Sequence, residues 1–119
     1  MPEKVERVLR WFIEGEQGGI KLEIGGTYIL DEDYVPKWVH LSLRRAVKGS
    51  RPLKIDITDD GETIFDTKPA LTDGQTNKVW TTIPEEIIQE GSILKLNRDQ
   101  VANLDPGEDL TVELGLEKS

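Results

Sequence analysis

Apolar and polar residues alternate with a period of two on both sides of an Asp-Gly pair in the segment 52–71. The pattern resumes directly after Asp60-Gly61, with Thr63, Ile64 and Phe65. Alternation places successive side chains on opposite faces of a strand, and Asp-Gly favours the tight turn of a β-hairpin. The segment therefore predicts two antiparallel strands joined by a tight turn. The apolar positions before the turn are Leu53, Ile55 and Ile57.

Two more segments alternate in the same way. In the segment 38–47, apolar residues on one predicted face are opposed by His40, Ser42 and Arg44 on the other. Each segment predicts a strand with one face packed and the other in water. The predicted inward residues of this strand are Val39, Leu41 and Leu43. Those of the C-terminal strand are Leu110, Val112, Leu114 and Leu116, opposite Thr111, Glu113 and Gly115.

Short extended runs separated by Gly or Pro continue along the chain. Segments 31–36 and 71–78 are predicted loops, and 84–91 allows at most one helical turn. The segment 5–14 fits both a helical stripe and a strand face, and its periodicity leaves the choice open. The other predicted strands are 20–24, 27–30, 79–83 and 93–97. This spacing predicts an all-β chain, a single antiparallel β-sandwich or jelly roll that forms one domain over residues 1–119.

Composition narrows the classes of function. The chain has no cysteine, which excludes disulfides, thiolate metal sites and a cysteine nucleophile. Its net charge of -8 repels polyphosphate, so we expect no nucleic-acid partner. No apolar run is long enough to cross a bilayer, and the N-terminal segment lacks the apolar stretch of a secretion signal. We therefore expect an unprocessed, soluble chain without a membrane partner. The high content of charged residues is typical of heat-tolerant proteins.

Candidate catalytic residues are few. His40 is the only histidine and lies near Ser42, but no nucleophile elbow or oxyanion motif accompanies it, which favours a surface histidine. The acidic runs 31–33, 59–60 and 85–86 all fall in predicted turns, where carboxylates are solvated and keep ordinary pKa values. We therefore predict no catalytic residues.

A cluster of acidic residues around the predicted hairpin turn could bind calcium through its carboxylate oxygens. Their spacing does not match an EF-hand, and a turn that uses Asp and Gly for its backbone geometry explains the same residues. We predict no metal and no cofactor. The cluster consists of Asp56, Asp59, Asp60 and Glu62.

Two sets of residues are candidates for binding. Trp11, Trp38 and Trp80 could stack on sugars, although core packing is the more common role of such residues. Arg44 and Arg45 could dock on an acidic partner, including the acidic C-terminal half of another copy, and a solvated strand edge is the alternative. The candidate binding residues are therefore Trp38, Trp80, Arg44 and Arg45. Three further basic residues extend the second set: Lys48, Arg51 and Lys54.

Three segments, in this order and spacing, resemble small β-sandwich domains of tailed-bacteriophage virion proteins. They are RWFIEGE at 10–16, PLKIDITDDGETIF at 52–65, and EGSILKLNRDQVANLDPGEDLTVELGL at 90–116. Such domains occur in head decorations, head fibres and tail-associated parts. The resemblance implies a strand rather than a helix at 5–14, and an all-β sandwich or jelly roll.

The resemblance also implies a function. It implies a non-enzymatic structural protein, made in the host cytoplasm and located in the virion, where it serves as a capsid decoration or small head-fibre subunit. Its partners would be a capsid or tail protein lattice and other copies of itself, most often in a trimer. The alternative is a carbohydrate-binding module or a tail-associated receptor-binding domain that binds a surface glycan through exposed tryptophans.

Overall fold

The computed structural model describes residues 4–119, which form two antiparallel sheets and contain no helix. The predicted all-β sandwich is confirmed for these residues, and the first three residues of the predicted domain lie outside them. No helix in this range is long and apolar enough to span a bilayer. The strands are β1 (Arg7–Glu16), β2 (Lys21–Ile29), β3 (Tyr34–Arg45), β4 (Leu53–Asp59), β5 (Glu62–Thr63), β6 (Ala70–Leu71), β7 (Asn77–Trp80), β8 (Ile93–Gln100) and β9 (Glu108–Lys118).

The front sheet has the strand order β1-β9-β3-β7. The segment 5–14 forms most of β1, so the strand expectation is confirmed and the helical alternative is wrong. A strand forms because alternation buries the side chains of Leu9 and Trp11 in the core and leaves those of Arg10 and Phe12 exposed. The inward residues predicted for the C-terminal strand and for segment 38–47 are all buried as expected.

The back sheet has the strand order β2-β8-β4-β5, and β6 pairs with the other end of β4. The predicted hairpin is confirmed: Thr58 pairs with Thr63, and the turn residues Asp60 and Gly61 have φ angles of 50° and 89°. The returning strand is shorter than predicted. It ends at Thr63, and the chain beyond it leaves the sheet to bury Ile64 in the core.

Several element boundaries differ from the prediction. The expected acidic loop ends at Asp33, and β3 begins with the buried Tyr34. The expected loop 71–78 lies between β6 and β7 and overlaps both of them. Residues 84–91 form no helix. Instead, Ile88 is buried and exchanges two backbone hydrogen bonds with Tyr34, which ties this segment to the start of β3.

Strand β2 was predicted as two strands, but it is one strand with two register shifts against β8. Gly25, with φ of 74°, lies so close to β1 that an added Cβ would be 2.7 Å from Ile13. Here the edges of the two sheets meet: the Trp11 indole Nε1 donates to the Gly26 carbonyl at 3.1 Å. The Tyr28 hydroxyl also accepts from the Arg10 amide and donates to the Arg10 carbonyl.

Candidate functional site

His40 lies on the outer face of the front sheet in a row of charged residues that crosses three strands. Its Nδ1 is 3.3 Å from a Glu113 oxygen, and the Arg10 Nε donates to the other Glu113 oxygen at 3.0 Å. Burial opposes the charge of Glu113, but hydrogen bonds from Arg10 and His40 outweigh it and hold the pKa of its carboxyl below the usual value. The described contacts therefore place His40 in a cross-strand ion cluster.

Arg44 and Arg45 bind acidic residues of their own chain. The Arg44 Nε donates to Asp109 at 2.8 Å. The guanidinium of Arg45 contacts Asp105 at 3.1 Å and Glu108 at 2.6 Å. The hydrogen bond from Arg44 is the main reason that the pKa of Asp109 lies below its ordinary value. Both arginines therefore pair with acidic residues of β9 or of the turn before it within the same molecule, and docking on a second molecule stays a prediction.

The basic residues predicted as one group are divided by the fold. Arg44 and Arg45 end β3 of the front sheet, whereas Lys54 lies on β4 of the back sheet. Lys48 and Arg51 lie in the connection between these strands. The five side chains therefore do not belong to a single strand face.

The tryptophans are largely enclosed. Trp11 is fully buried, and Trp38 is 5% exposed with its ring over Gly115, where an added Cβ would be 2.3 Å from the ring. Trp80 is half-buried and packs against the core, with the Lys78 ammonium 5.0 Å from its ring centre. The aromatic side chain that is most open to solvent is Phe12, at 55% exposure.

The acidic residues of the hairpin turn form hydrogen bonds that hold the local structure together. The Asp60 carboxylate accepts from the Ile93 amide at 2.8 Å, which fixes the turn to β8. Asp56 is buried, accepts from the Thr63 hydroxyl and lies 3.7 Å from the Lys68 ammonium. Within residues 4–119, no group of three or more acidic or histidine side chains is arranged to hold a metal ion.

Glu85 departs from the expectation that the acidic runs keep ordinary pKa values. Burial, a hydrogen bond with Asp59 and the charges of Asp59, Glu62 and Asp60 raise its pKa to about 7. One of its carboxyl oxygens is buried without a hydrogen-bond partner among the described residues. The expectation fails because it placed the run 85–86 in a solvated turn, whereas Glu85 is partly buried beside Asp59 and Asp60 of the acidic hairpin turn.

Two shallow grooves flank Leu22, a residue that the sequence did not single out. One, of about 490 Å³, lies on the outer face of the back sheet and is lined by Leu22, Ile93 and Lys95. The other, of about 480 Å³, lies between β1 and β2 and is lined by Leu22 and Phe12. Leu22 itself is 66% exposed. We call Leu22 and these two grooves the Leu22 surface.

The second groove also reaches Arg98, another residue that sequence reasoning missed. Arg98 is 6% exposed and donates to the Gly19 carbonyl and to the Gln17 side chain. Burial lowers its pKa. Among the described residues no carboxylate lies within ion-pair distance of it. Alternation along β8 continues the inward face of Leu94 and Leu96 to Arg98, so extending the predicted strand 93–97 by one residue would have indicated it.

The arrangement of these residues suits binding by surface contact. Within the front sheet, Arg10 pairs with Glu113 and Arg44 with Asp109, and the grooves of the described residues are shallow and partly apolar. No protein-family model matches this chain, and no curated protein sequence matches it.

Proposed function

We propose that this chain is a non-enzymatic structural protein of a tailed-bacteriophage virion, a capsid decoration or small head-fibre subunit that assembles on the particle surface. A homotrimer is the favoured assembly, and a capsid or tail protein lattice is the partner. The main support is the position of the three segments that carry the resemblance. They form much of β1, the β4–β5 hairpin and the strands β8 and β9, and thus contribute to both sheets.

The surface supplies further support. On the front sheet, Arg10 pairs with Glu113, His40 Nδ1 lies 3.3 Å from a Glu113 oxygen, and Arg44 is paired with Asp109. Side chains fixed in this way present a defined surface at little further entropic cost when a partner binds. Such a surface is suited to docking on a repeating lattice, where many weak contacts add up through avidity.

Binding to the assembled particle explains how such a subunit acts. A protein that binds the assembled lattice and not the dissociated shell stabilises the assembly by mass action, in proportion to the logarithm of its concentration over its Kd. The excess of acidic charge keeps decorated particles apart by repulsion.

Co-sedimentation with emptied particles tests this proposal. Purified chain is mixed with particles that lack it, and the bound amount is measured after sedimentation through a cushion. We expect saturable binding at a fixed ratio to the major capsid or tail protein, and a higher disassembly temperature of the particles. Particles that already carry the protein are the control and should bind no more. Unsaturable binding, or none, would contradict the proposal.

The glycan-binding alternative depends on exposed tryptophans. Trp11 and Trp38 are buried and Trp80 is half-buried, so the described tryptophans form no flat exposed platform. Titration with glycans, followed by tryptophan fluorescence, separates the two proposals. A saturable change in fluorescence would favour the alternative.

A further inference from the structure

Leu22 is exposed because β2 carries a bulge at this point. Between Lys21 and Ile24, β2 takes three residue steps while the paired β8 takes two, from Arg98 to Leu96. The extra residue turns the Leu22 side chain outward, between the two grooves of the Leu22 surface. A leucine that is 66% exposed at the edge of a sheet is not needed for the core.

The bulge is held in place by specific contacts. Glu23 has a φ of 54°, a left-handed conformation that is unfavourable for a residue with a side chain. The Glu23 amide donates to the Asn97 side chain at 2.8 Å, and its carboxylate pairs with Lys95. Non-glycine residues held in this conformation cluster at binding sites, where the surroundings maintain the strain.

Protection of an edge strand does not account for these features. A bulge alone would prevent pairing with another strand, and charged side chains are the usual protection. Here the bulge displays a leucine, and Phe12 of the neighbouring strand adds a second exposed apolar side chain in the same groove. The arrangement is therefore typical of a contact surface.

The Leu22 surface combines a projection with hollows. The exposed leucine lies directly beside two grooves of about 490 and 480 Å³, which are partly lined by apolar side chains. In a ring of three, each copy can insert Leu22 into one neighbour and receive Leu22 from the other. In a dimer both insertions occur across one two-fold axis.

The charges around the grooves also fit a second copy. Two copies with a net charge of -8 repel each other over most of their surface. The Leu22 surface carries side chains of both signs, so basic side chains of one copy can face acidic side chains of the next. Its basic residues are Lys21, Lys95 and the largely buried Arg98, and its acidic residues are Glu14, Glu16, Glu23 and Asp60.

We propose that the Leu22 surface is the contact between neighbouring copies of this chain, with Leu22 of one copy inserted into a groove of the next. This inference rests on the proposed function, because it identifies the contact that forms the homo-oligomer. The lattice is bound by other parts of the molecule.

Light scattering over a range of concentrations tests the inference with Leu22→Asp. A charge at the centre of the contact should raise the dissociation constant of the oligomer at least about tenfold. The matched control is Leu104→Asp, because Leu104 is 79% exposed in a turn outside the Leu22 surface. A monomeric parent protein, an unaffected Leu22→Asp variant, or equal weakening by both substitutions would each overturn the inference.

A second variant avoids the risk that Leu22→Asp does not fold. The chain has no cysteine, so Leu22→Cys introduces a single thiol. We expect its rate of alkylation to fall severalfold as the protein concentration passes the dissociation constant. The rate in the Leu104→Cys control should not change. Equal rates in dilute and concentrated Leu22→Cys protein would contradict burial of this position.

The two proposals can fail separately. A parent protein that binds particles as a monomer would overturn the Leu22 contact and leave the virion function standing. An oligomer that depends on Leu22 and binds no particle would support the contact and contradict the virion function.

Discussion

The two sheets differ in the regularity of their strand pairing. The central strands of the front sheet, β3 and β9, are 12 and 11 residues long and pair with one register shift. The back sheet has two shifts in β2 alone. In the front sheet, side chains alternate between core and surface over most of each strand, and the alternation is interrupted at Trp38 and Val39, which are both buried. In the back sheet, the irregular edge strand β2 exposes Leu22, and the neighbouring β8 places Arg98 in the interior.

The interiors of the sheets differ as well. The inward residues of β9 are all aliphatic, whereas β8 places Arg98 among its inward residues. A buried arginine without a carboxylate loses hydration that neutral hydrogen bonds restore only in part. Aliphatic inward residues therefore favour stability in β9, while β8 gives up some stability by burying Arg98.

Truncation of core leucines is expected to change the free energy of unfolding most. Leu114 of the front sheet and Leu96 of the back sheet are both fully buried. Replacement by Ala should lower the free energy of unfolding by about 2–5 kcal/mol. We expect the larger loss for Leu114→Ala, because β9 lies between two long strands and cannot relax into the cavity. Urea denaturation measures both values. An equal or larger loss for Leu96→Ala would show that the bulged edge does not make the back sheet more adaptable.

A smaller test concerns the outer face of the front sheet. An alanine Cβ at Gly115 would be 2.3 Å from the Trp38 ring, so Gly115→Ala must displace the ring. Overpacking of this kind lowers the free energy of unfolding by about 1–3 kcal/mol. Gly18→Ala is the control, because nothing lies within 4 Å of a Cβ at that position. Thermal unfolding of both variants measures the effect, and similar transition temperatures would show that Trp38 moves freely.

The smallest effect concerns pH, to which two acidic groups respond in opposite ways. The pKa of Glu113 is lowered by folding, so its contribution to stability is present above its unfolded pKa and is lost as the pH falls through the folded value. The pKa of Glu85 is raised from 4.5 to about 7. Glu85 therefore lowers stability as the pH rises through this interval, since ionisation costs more in the folded chain.

Glu85→Gln should remove this loss of stability. Relative to the parent protein, the variant should gain about 1 kcal/mol at pH 8 and almost nothing at pH 4, allowing for the partial exposure of Glu85. Denaturation at a series of pH values gives the difference, and Glu86→Gln at the exposed neighbouring position is the control. A gain that does not change with pH would contradict the raised pKa.

Sequence reasoning succeeded where the backbone is regular. Alternation predicted which leucines of β9 are buried, and Asp60-Gly61 predicted the hairpin turn. It failed where the position of one residue depends on distant contacts. The left-handed conformation of Glu23 is set by Asn97, a residue of another strand, and no local pattern indicates it.

The candidate sites were harder to predict than the fold for the same reason. The sequence shows that Arg44 is basic, but only the pairing of β3 with β9 shows that Asp109 neutralises it. The raised pKa of Glu85 likewise requires the packing of one connection on a turn that is distant in sequence. Ion pairs between residues of different strands can be predicted only when the strand order is known.

The hydroxyl of Tyr28 has a consequence for molecules held close together. By bonding both main-chain groups of Arg10, it occupies the positions that an incoming strand would need in order to extend the front sheet at β1. An edge-to-edge contact between crowded copies would have to displace this phenol at Arg10, which disfavours cross-β stacking at this point of the rim.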